Sequence, residues 1–409
     1  MQSNTYTKTS DTYCNQPFTS LALKNWRKGK LKSVWPCCNM GNNDGIVHND
    51  NPLGIDCADL SPQEIFDHPR MEELRQNLAN GVRDSACSVC WRMEDNNVKS
   101  YRQHNISVHE KELTTIDVTS SNECNLACRM CGPSASNLWM QDIKNLKETG
   151  HSSLYIQNHA YTGTTSEPPK ATESIQWQWM YDNTDKIKYL KCSGGEPLYD
   201  TKFIKLLEKY IADGTAKDTT VMCHTNGTQF GNPKIVEILN YFKKQEHSFS
   251  IDGFGQVYEY IRYPGTWDNL NDSLHHYFQM DNISNSFQIT TVISALNLLN
   301  LRDLEDWSRK IHTKYLYPRF GKTPTMLNYQ ELYPTYRGTH LTRLPISILK
   351  VAKKRNVLSR RITQWIDAAI DNNAEDKQKM KMEIQLLDFS RNQDYHDYLD
   401  PILIDWLDS

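Results

Sequence analysis

From about residue 111 to residue 330 the chain keeps switching its hydrophobic period. Short apolar and β-branched runs at 113–118, 187–193, 219–225, 248–252, 287–294 and 325–329 read as strands. Helical spacing follows at 201–213, at 233–244, in a stretch running through 280, and at 301–312. A strand followed by a helix, repeated, needs right-handed crossovers and therefore a parallel sheet. The fold expected is α/β, a partial (β/α)6 barrel of parallel strands. In such barrels chemistry gathers on loops at the C-terminal ends of strands.

Two flanking regions have a different texture. Residues 1–110 are rich in Cys, Trp, Asn and Gly with little periodicity, apart from one helix expected over 61–79. This reads as a loop-rich module in need of a metal staple. Residues 331–409 read as a helical C-terminal extension, with a basic amphipathic segment at 346–357 and more of the same at 377–389. Between Gly150 and Ser174 a polar stretch with Pro168 and Pro169 reads as a loop insertion. A chain of 409 residues has room for the three domains this implies: 1–110, 111–330 and 331–409.

Net charge is −3, with both signs dispersed, which offers no electrostatic case for nucleic acid or an anionic membrane. No run of 18 apolar residues occurs. Residues 1–11 are polar and lack an apolar signal core, so a cytoplasmic location is expected. The 11 cysteines are clustered, and in a reducing compartment clustered thiols read as metal sites before disulfides.

Cys124, Cys128 and Cys131 lie within eight residues, directly after the first barrel strand. Three thiolates suit an iron–sulfur cubane and leave its fourth iron open to a ligand. Zinc would want a fourth nearby Cys or His, and none occurs between Cys131 and His151. The next strand ends in Ser193-Gly194-Gly195-Glu196-Pro197, the third in Thr225-Asn226-Gly227 and the fourth in Ser250-Ile251-Asp252-Gly253, with Arg262 in the helix that follows. Glycines admit a ligand close to the backbone, carbonyls and a carboxylate suit an ammonium, and a guanidinium suits a carboxylate. The plain alternatives are that Asn226 and Asp252 shape turns and that Arg262 is a solvated helix residue. Ser294 and Asn297 after the fifth strand are weaker candidates. Cys192 and Cys223 sit inside strands and read as small buried hydrophobes.

The cysteine spacing, with the Gly-Gly-Glu turn one strand later, resembles the radical S-adenosylmethionine (radical SAM) superfamily. One departure is Met130, where the family usually has an aromatic residue. The resemblance implies a [4Fe–4S] cluster on Cys124, Cys128 and Cys131. It implies S-adenosylmethionine held by Gly194, Gly195, Glu196, Asn226, Ser250, Asp252 and Arg262. It also implies reductive cleavage to a 5′-deoxyadenosyl radical that abstracts hydrogen from a substrate, with flavodoxin or ferredoxin as the kind of electron donor.

Cys14, Cys37, Cys38, Cys87 and Cys90 form a second constellation in the first 110 residues, where the Cys-x-x-Cys bite fits zinc or a cluster equally well. The pattern resembles the SPASM and twitch auxiliary-cluster domains, although those usually follow the barrel. The ligands so implied are Cys14, Cys37, Cys87 and Cys90, with Cys38 the rival to Cys37 and Cys57 a spare. Such relatives often modify peptides or proteins, which makes that the preferred substrate class. The competing expectation is a non-catalytic metal-binding scaffold with structural iron–sulfur or zinc sites.

Overall fold

The computed structural model describes residues 10–27, 30–38, 51–107, 110–150, 174–321, 325–331, 339–356 and 360–409. The expected insertion between Gly150 and Ser174 lies, apart from its ends, outside them. The fold is mixed α/β around parallel strands, and the chain divides into two compact units.

The first unit comprises Met1–Ser121, Ser166–Cys223 and Tyr241–Gln245. Its strands are β1 (Ser20–Arg27), β2 (Lys30–Trp35), β3 (Thr115–Thr119), β4 (Tyr189–Ser193), the first four residues of β5 (Thr220–Thr225) and β6 (Lys244–Gln245). They lie in the order β2-β1-β3-β4-β5, with β6 on the start of β5, and only β1 and β2 are antiparallel. Strand alternation gives the sheet an apolar face of Leu21, Leu23, Ile116, Val118, Leu190, Cys192, Val221 and Cys223, all fully buried. Each aliphatic side chain there contributes roughly 1.5–3 kcal/mol of hydrophobic stabilisation. The opposite face carries Lys24, Asp117, Lys191 and Ser193. Helix Thr201–Ala212 returns the chain from β4 to β5, buries Phe203, Leu206, Leu207 and Tyr210 at helical spacing, and is capped by Asp200 on the amides of Lys202 and Phe203.

Two expectations for this region need correction. Strands β1 and β2 have no alternation strong enough to read from sequence, yet β1 pairs in parallel with β3. The single helix expected over 61–79 is two, Pro62–Phe66 and Pro69–Ala79. Pro69 forces His68 out of helical geometry (ψ 140°), and the His68 ring then caps the second helix through the Arg70 amide.

The second unit comprises Asn122–Thr165, His224–Asn240 and Glu246–Ser409. The last two residues of β5 pair with β7 (Ser248–Ser250), β7 with β8 (Phe287–Ile293) and β8 with β9 (Thr325–Glu331), all in parallel. Helices Pro233–Asn240, Trp267–Gln279 and Leu301–Ile311 make the crossovers. The helix expected to run through 280 is interrupted: Gln256–Ile261 ends before Pro264, which has no amide proton to give, and Thr266 caps a new start. The C-terminal residues are helical as expected, in Ile346–Arg355, Arg360–Asp371, Lys377–Arg391 and Pro401–Asp408. They build a core of Ile348, Leu349, Ile362, Ile366, Ile384 and Leu403 against Tyr260 and Ile261. Among the described residues no helix is long and apolar enough to cross a membrane.

Candidate metal and cofactor site

The cysteine loop of the second unit is positioned by its backbone. The amides of Ala127 and Arg129 donate to the carbonyls of Tyr263 (2.6 Å) and Ile261 (2.7 Å). The Cys124 amide donates to Asn137 Oδ1, and the Trp139 indole donates to the Cys128 carbonyl. These ties turn the thiols inward. Cys124, Leu126 and Cys128 form one buried apolar cluster, with Met130 and Cys131 packed against it. The Leu126 amide donates to Cys124 Sγ at 3.4 Å, and Arg262 Nη1 donates to Cys128 Sγ at 3.6 Å. A hydrogen bond with Cys131, and then burial, push the Cys128 thiol well above its ordinary pKa. A metal that claims these sulfurs must displace those protons.

Arg129, inside the loop, is a residue that sequence reasoning missed. Its buried guanidinium pairs with Asp388 on the C-terminal helix Lys377–Arg391, donates to Gln393 Oε1 and the Tyr260 carbonyl, and stacks 3.5 Å from the Tyr260 ring centroid. Tyr260 Oη also donates to Asp388. One turn away, Arg391 binds Asp142 and covers Trp139. The signal available was the one charged residue between the cysteines of the loop; nothing in the sequence marked Asp388.

The strand-end residues of the second unit gather near the same loop. Asn226 Nδ2 donates to Asn125 Oδ1, and its Oδ1 receives the Thr228 amide and hydroxyl, while Gly227 takes a left-handed φ of 79°. Asp252 is fully buried, accepts the Val292 amide (2.6 Å) and contacts Arg262 Nη2 at 2.6 Å. Burial works against the Arg262 charge, but Asp252 outweighs it and holds the guanidinium above its ordinary pKa. Arg262 Nε is buried without a hydrogen-bond partner, so the guanidinium keeps donor capacity for a ligand. Ser250 closes β7, half-buried and paired through its backbone with Thr290. Asn297 is spent on structure, bridging the Ser294 amide to the carbonyls of Asp252 and Val292.

In the first unit the Gly194–Glu196 turn follows β4. Gly194 has a φ of 133°, and a Cβ there would lie 2.7 Å from the Ser121 carbonyl oxygen, so only glycine fits. The Gly195 amide donates to that same oxygen. Glu196 is buried, and its Oε1 accepts the Leu198 amide.

The N-terminal thiols of the first unit are also neighbours. Burial pushes Cys14 up to about 12, with Cys90 adding to the shift. Cys87 is raised by burial and then by Cys14 and Cys90. Tyr101 is raised by burial and then by Cys38 and Cys37, with Cys14 a smaller contributor. Cys57 stands apart, with Sγ 3.6 Å from the Leu31 carbonyl oxygen. Arg102 braces this group, donating to the carbonyls of Asp11 and Tyr13 and pairing with Glu94 (2.6 Å) on helix Ser88–Asp95. Among the described residues no three Cys, His or carboxylate side chains are already closed around a single ion position. The soft donor set and the packing of Cys124, Cys128 and Cys131 nevertheless suit an iron–sulfur cluster better than a hard cation.

No protein-family model and no curated protein matches this chain. Among solved structures, Streptococcus suis SuiB bound to the precursor peptide SuiA is 13% identical with a TM-score of 0.33, over 72% of this chain and 51% of that one. Native anSMEcpe with bound AdoMet is 15% identical with a TM-score of 0.30, over 59% of each chain. The chain thus spans about half to three-fifths of the length of these structures.

Proposed function

We propose that this chain is a radical SAM enzyme. The observation that carries the reading is the burial of Cys124 and Cys128 in one cluster, with the half-buried Cys131 packed against it, after a parallel strand and with the Arg262 guanidinium on Cys128. The three thiolates would hold a [4Fe–4S] cluster, and Gly194, Gly195, Glu196, Asn226, Ser250, Asp252 and Arg262 would hold S-adenosylmethionine. When both are bound, they supply an electron and a C–S bond whose reductive cleavage gives methionine and a 5′-deoxyadenosyl radical able to take hydrogen from a substrate.

The chain's own residues do the positioning. The Gly194 turn keeps side chains away from the ligand's path. Arg262, charged and with a free Nε–H, offers a donor to a carboxylate. The apolar packing of Leu126 and Met130 covers the buried Cys124 and Cys128. On this reading residues 111–330 curve as a partial (β/α)6 barrel and residues 1–110 form a SPASM/twitch-like module. An auxiliary cluster would sit on Cys14, Cys87, Cys90 and either Cys37 or Cys38. The preferred substrate is a peptide or protein, reached in the cytoplasm, with a flavodoxin or ferredoxin as donor.

Anaerobic purification tests this. The expected result is brown protein holding iron and sulfide. Its reduced state should give an electron paramagnetic resonance signal that shifts on adding S-adenosylmethionine. Zinc alone, without iron or colour after anaerobic reconstitution, would instead fit the structural scaffold.

A further inference from the structure

Among the described residues, the polar face of the sheet in the first unit sets two lysines on one carboxylate. Lys24 Nζ lies 2.6 Å from Asp117 Oδ1 and donates to Ser193 Oγ at 3.1 Å. Lys191 Nζ lies 3.6 Å from Asp117 Oδ2. The register places Lys191 directly beside Asp117, with Lys24 two residues beyond the β1 partner Ala22, so all three side chains leave the same face. Their side chains are only 12%, 15% and 9% exposed for Lys24, Lys191 and Asp117. Asp117 is the one carboxylate, among the described residues, with which either ammonium forms an ion pair. Lys191 also meets the Cys38 side chain, as a charge partner and through a hydrogen bond.

Among the described residues two largely buried ammonium groups share one carboxylate, an arrangement that a bound anion would complete. A purely structural bridge between β1, β3 and β4 would need one lysine. The adjacent Ser193 and Thr119 hydroxyls, 3.3 Å apart, add donors suited to oxygen ligands.

We propose that Lys24 and Lys191, divided by Asp117, form an anion site that takes a carboxylate or phosphate group of the substrate. This rests on the radical SAM reading, in which the polar face of the parallel strands is the substrate face. It narrows the substrate class to molecules with an anionic oxygen group near the reacting carbon.

The test is a lysine footprint on the intact, cluster-reconstituted protein. A neutral acetylating ester is applied, and modification at Lys24 and Lys191 is read by mass spectrometry. Glutarate and inorganic phosphate are added in separate arms, which distinguishes a carboxylate from a phosphate source, and the diamide of glutarate is the control. At about four times Kd the preferred anion should slow modification about fivefold. Asp117→Asn removes the competing charge and should lower the half-protecting concentration about tenfold. Lys24→Gln should abolish protection at Lys191. Absence of protection by either anion, equal protection by the diamide, or an Asp117→Asn variant no tighter than the parent would overturn the proposal. Formation of 5′-deoxyadenosine without substrate is read in parallel. Protein that cleaves S-adenosylmethionine but shows no protection sinks the anion site alone; protection without cleavage sinks the parent reading.

Discussion

Both cysteine regions are braced by buried arginines, but the arginines act from opposite sides. In the loop of Cys124, Cys128 and Cys131 the arginine lies inside the motif. Arg129 reaches out to a carboxylate, Asp388, that lies 259 residues later. In the N-terminal group the arginines lie outside. Arg102 reaches in to the carbonyls of Asp11 and Tyr13, and Arg75 reaches in to those of Pro17 and Phe66. The first loop is therefore shaped by the fold before any metal arrives. In the N-terminal group the backbone ahead of Cys14 is tied, but the Cys14 and Cys87 thiols, raised by burial and by neighbouring thiols, are only partly relieved by the Arg102 charge. A metal has more folding work to do there.

That contrast can be broken by mutation. Arg129→Met leaves Asp388 buried with its principal cation gone and should cost about 3–5 kcal/mol in denaturant unfolding, with or without metal. Arg102→Met should cost about 3 kcal/mol in metal-free protein, because Glu94 keeps its Ser100 hydrogen bond. Reconstitution with iron and sulfide should recover much of the second loss and little of the first. Equal recovery in both variants would erase the distinction. Chelation should conversely loosen the N-terminal group first, read as hydrogen exchange in Ser88–Asp95 before Trp139–Glu148.

A pH effect is expected in the second unit from a buried histidine. His247 is buried among Phe230, Phe249 and Tyr277, and burial lowers its pKa to about 3. Its depressed folded value means that the unfolded chain takes up a proton that the folded chain refuses. Stability should therefore fall by about 1.4 kcal/mol per pH unit as pH drops from about 6.5 towards 3, from this residue alone. His247→Phe should flatten that slope, measured by urea unfolding at several pH values. At the small end, Arg83→Ala breaks an ion pair half exposed on both sides and should change stability by less than about 1 kcal/mol.

Strands β3, β4, β5, β7 and β8 were legible because each is short and rich in apolar or β-branched residues and helical spacing recurs between them, whereas the two polar residues of β6 fall where the helix expected over 233–244 was to end. Strands β1 and β2 were not, because their few alternating positions carry no strong apolar signal and β1 gains its place by pairing with β3, far along the chain. The cysteine loop and the Gly194 turn were legible because their chemistry is local. The Arg129–Asp388 brace, the reach of Arg102 to the Asp11 and Tyr13 carbonyls and the paired lysines of β1 and β4 were not, because each joins segments that only the fold brings together.

The central claim is that Cys124, Cys128 and Cys131 hold a cluster that starts chemistry on S-adenosylmethionine. The direct measurement is 5′-deoxyadenosine formed by anaerobically reconstituted, reduced protein, set beside its Cys124→Ala variant. The account predicts product from the parent and a loss of about 100-fold or more in the variant, more than about 2.7 kcal/mol in barrier terms. No product from iron-replete parent protein, or equal product from both, would contradict it.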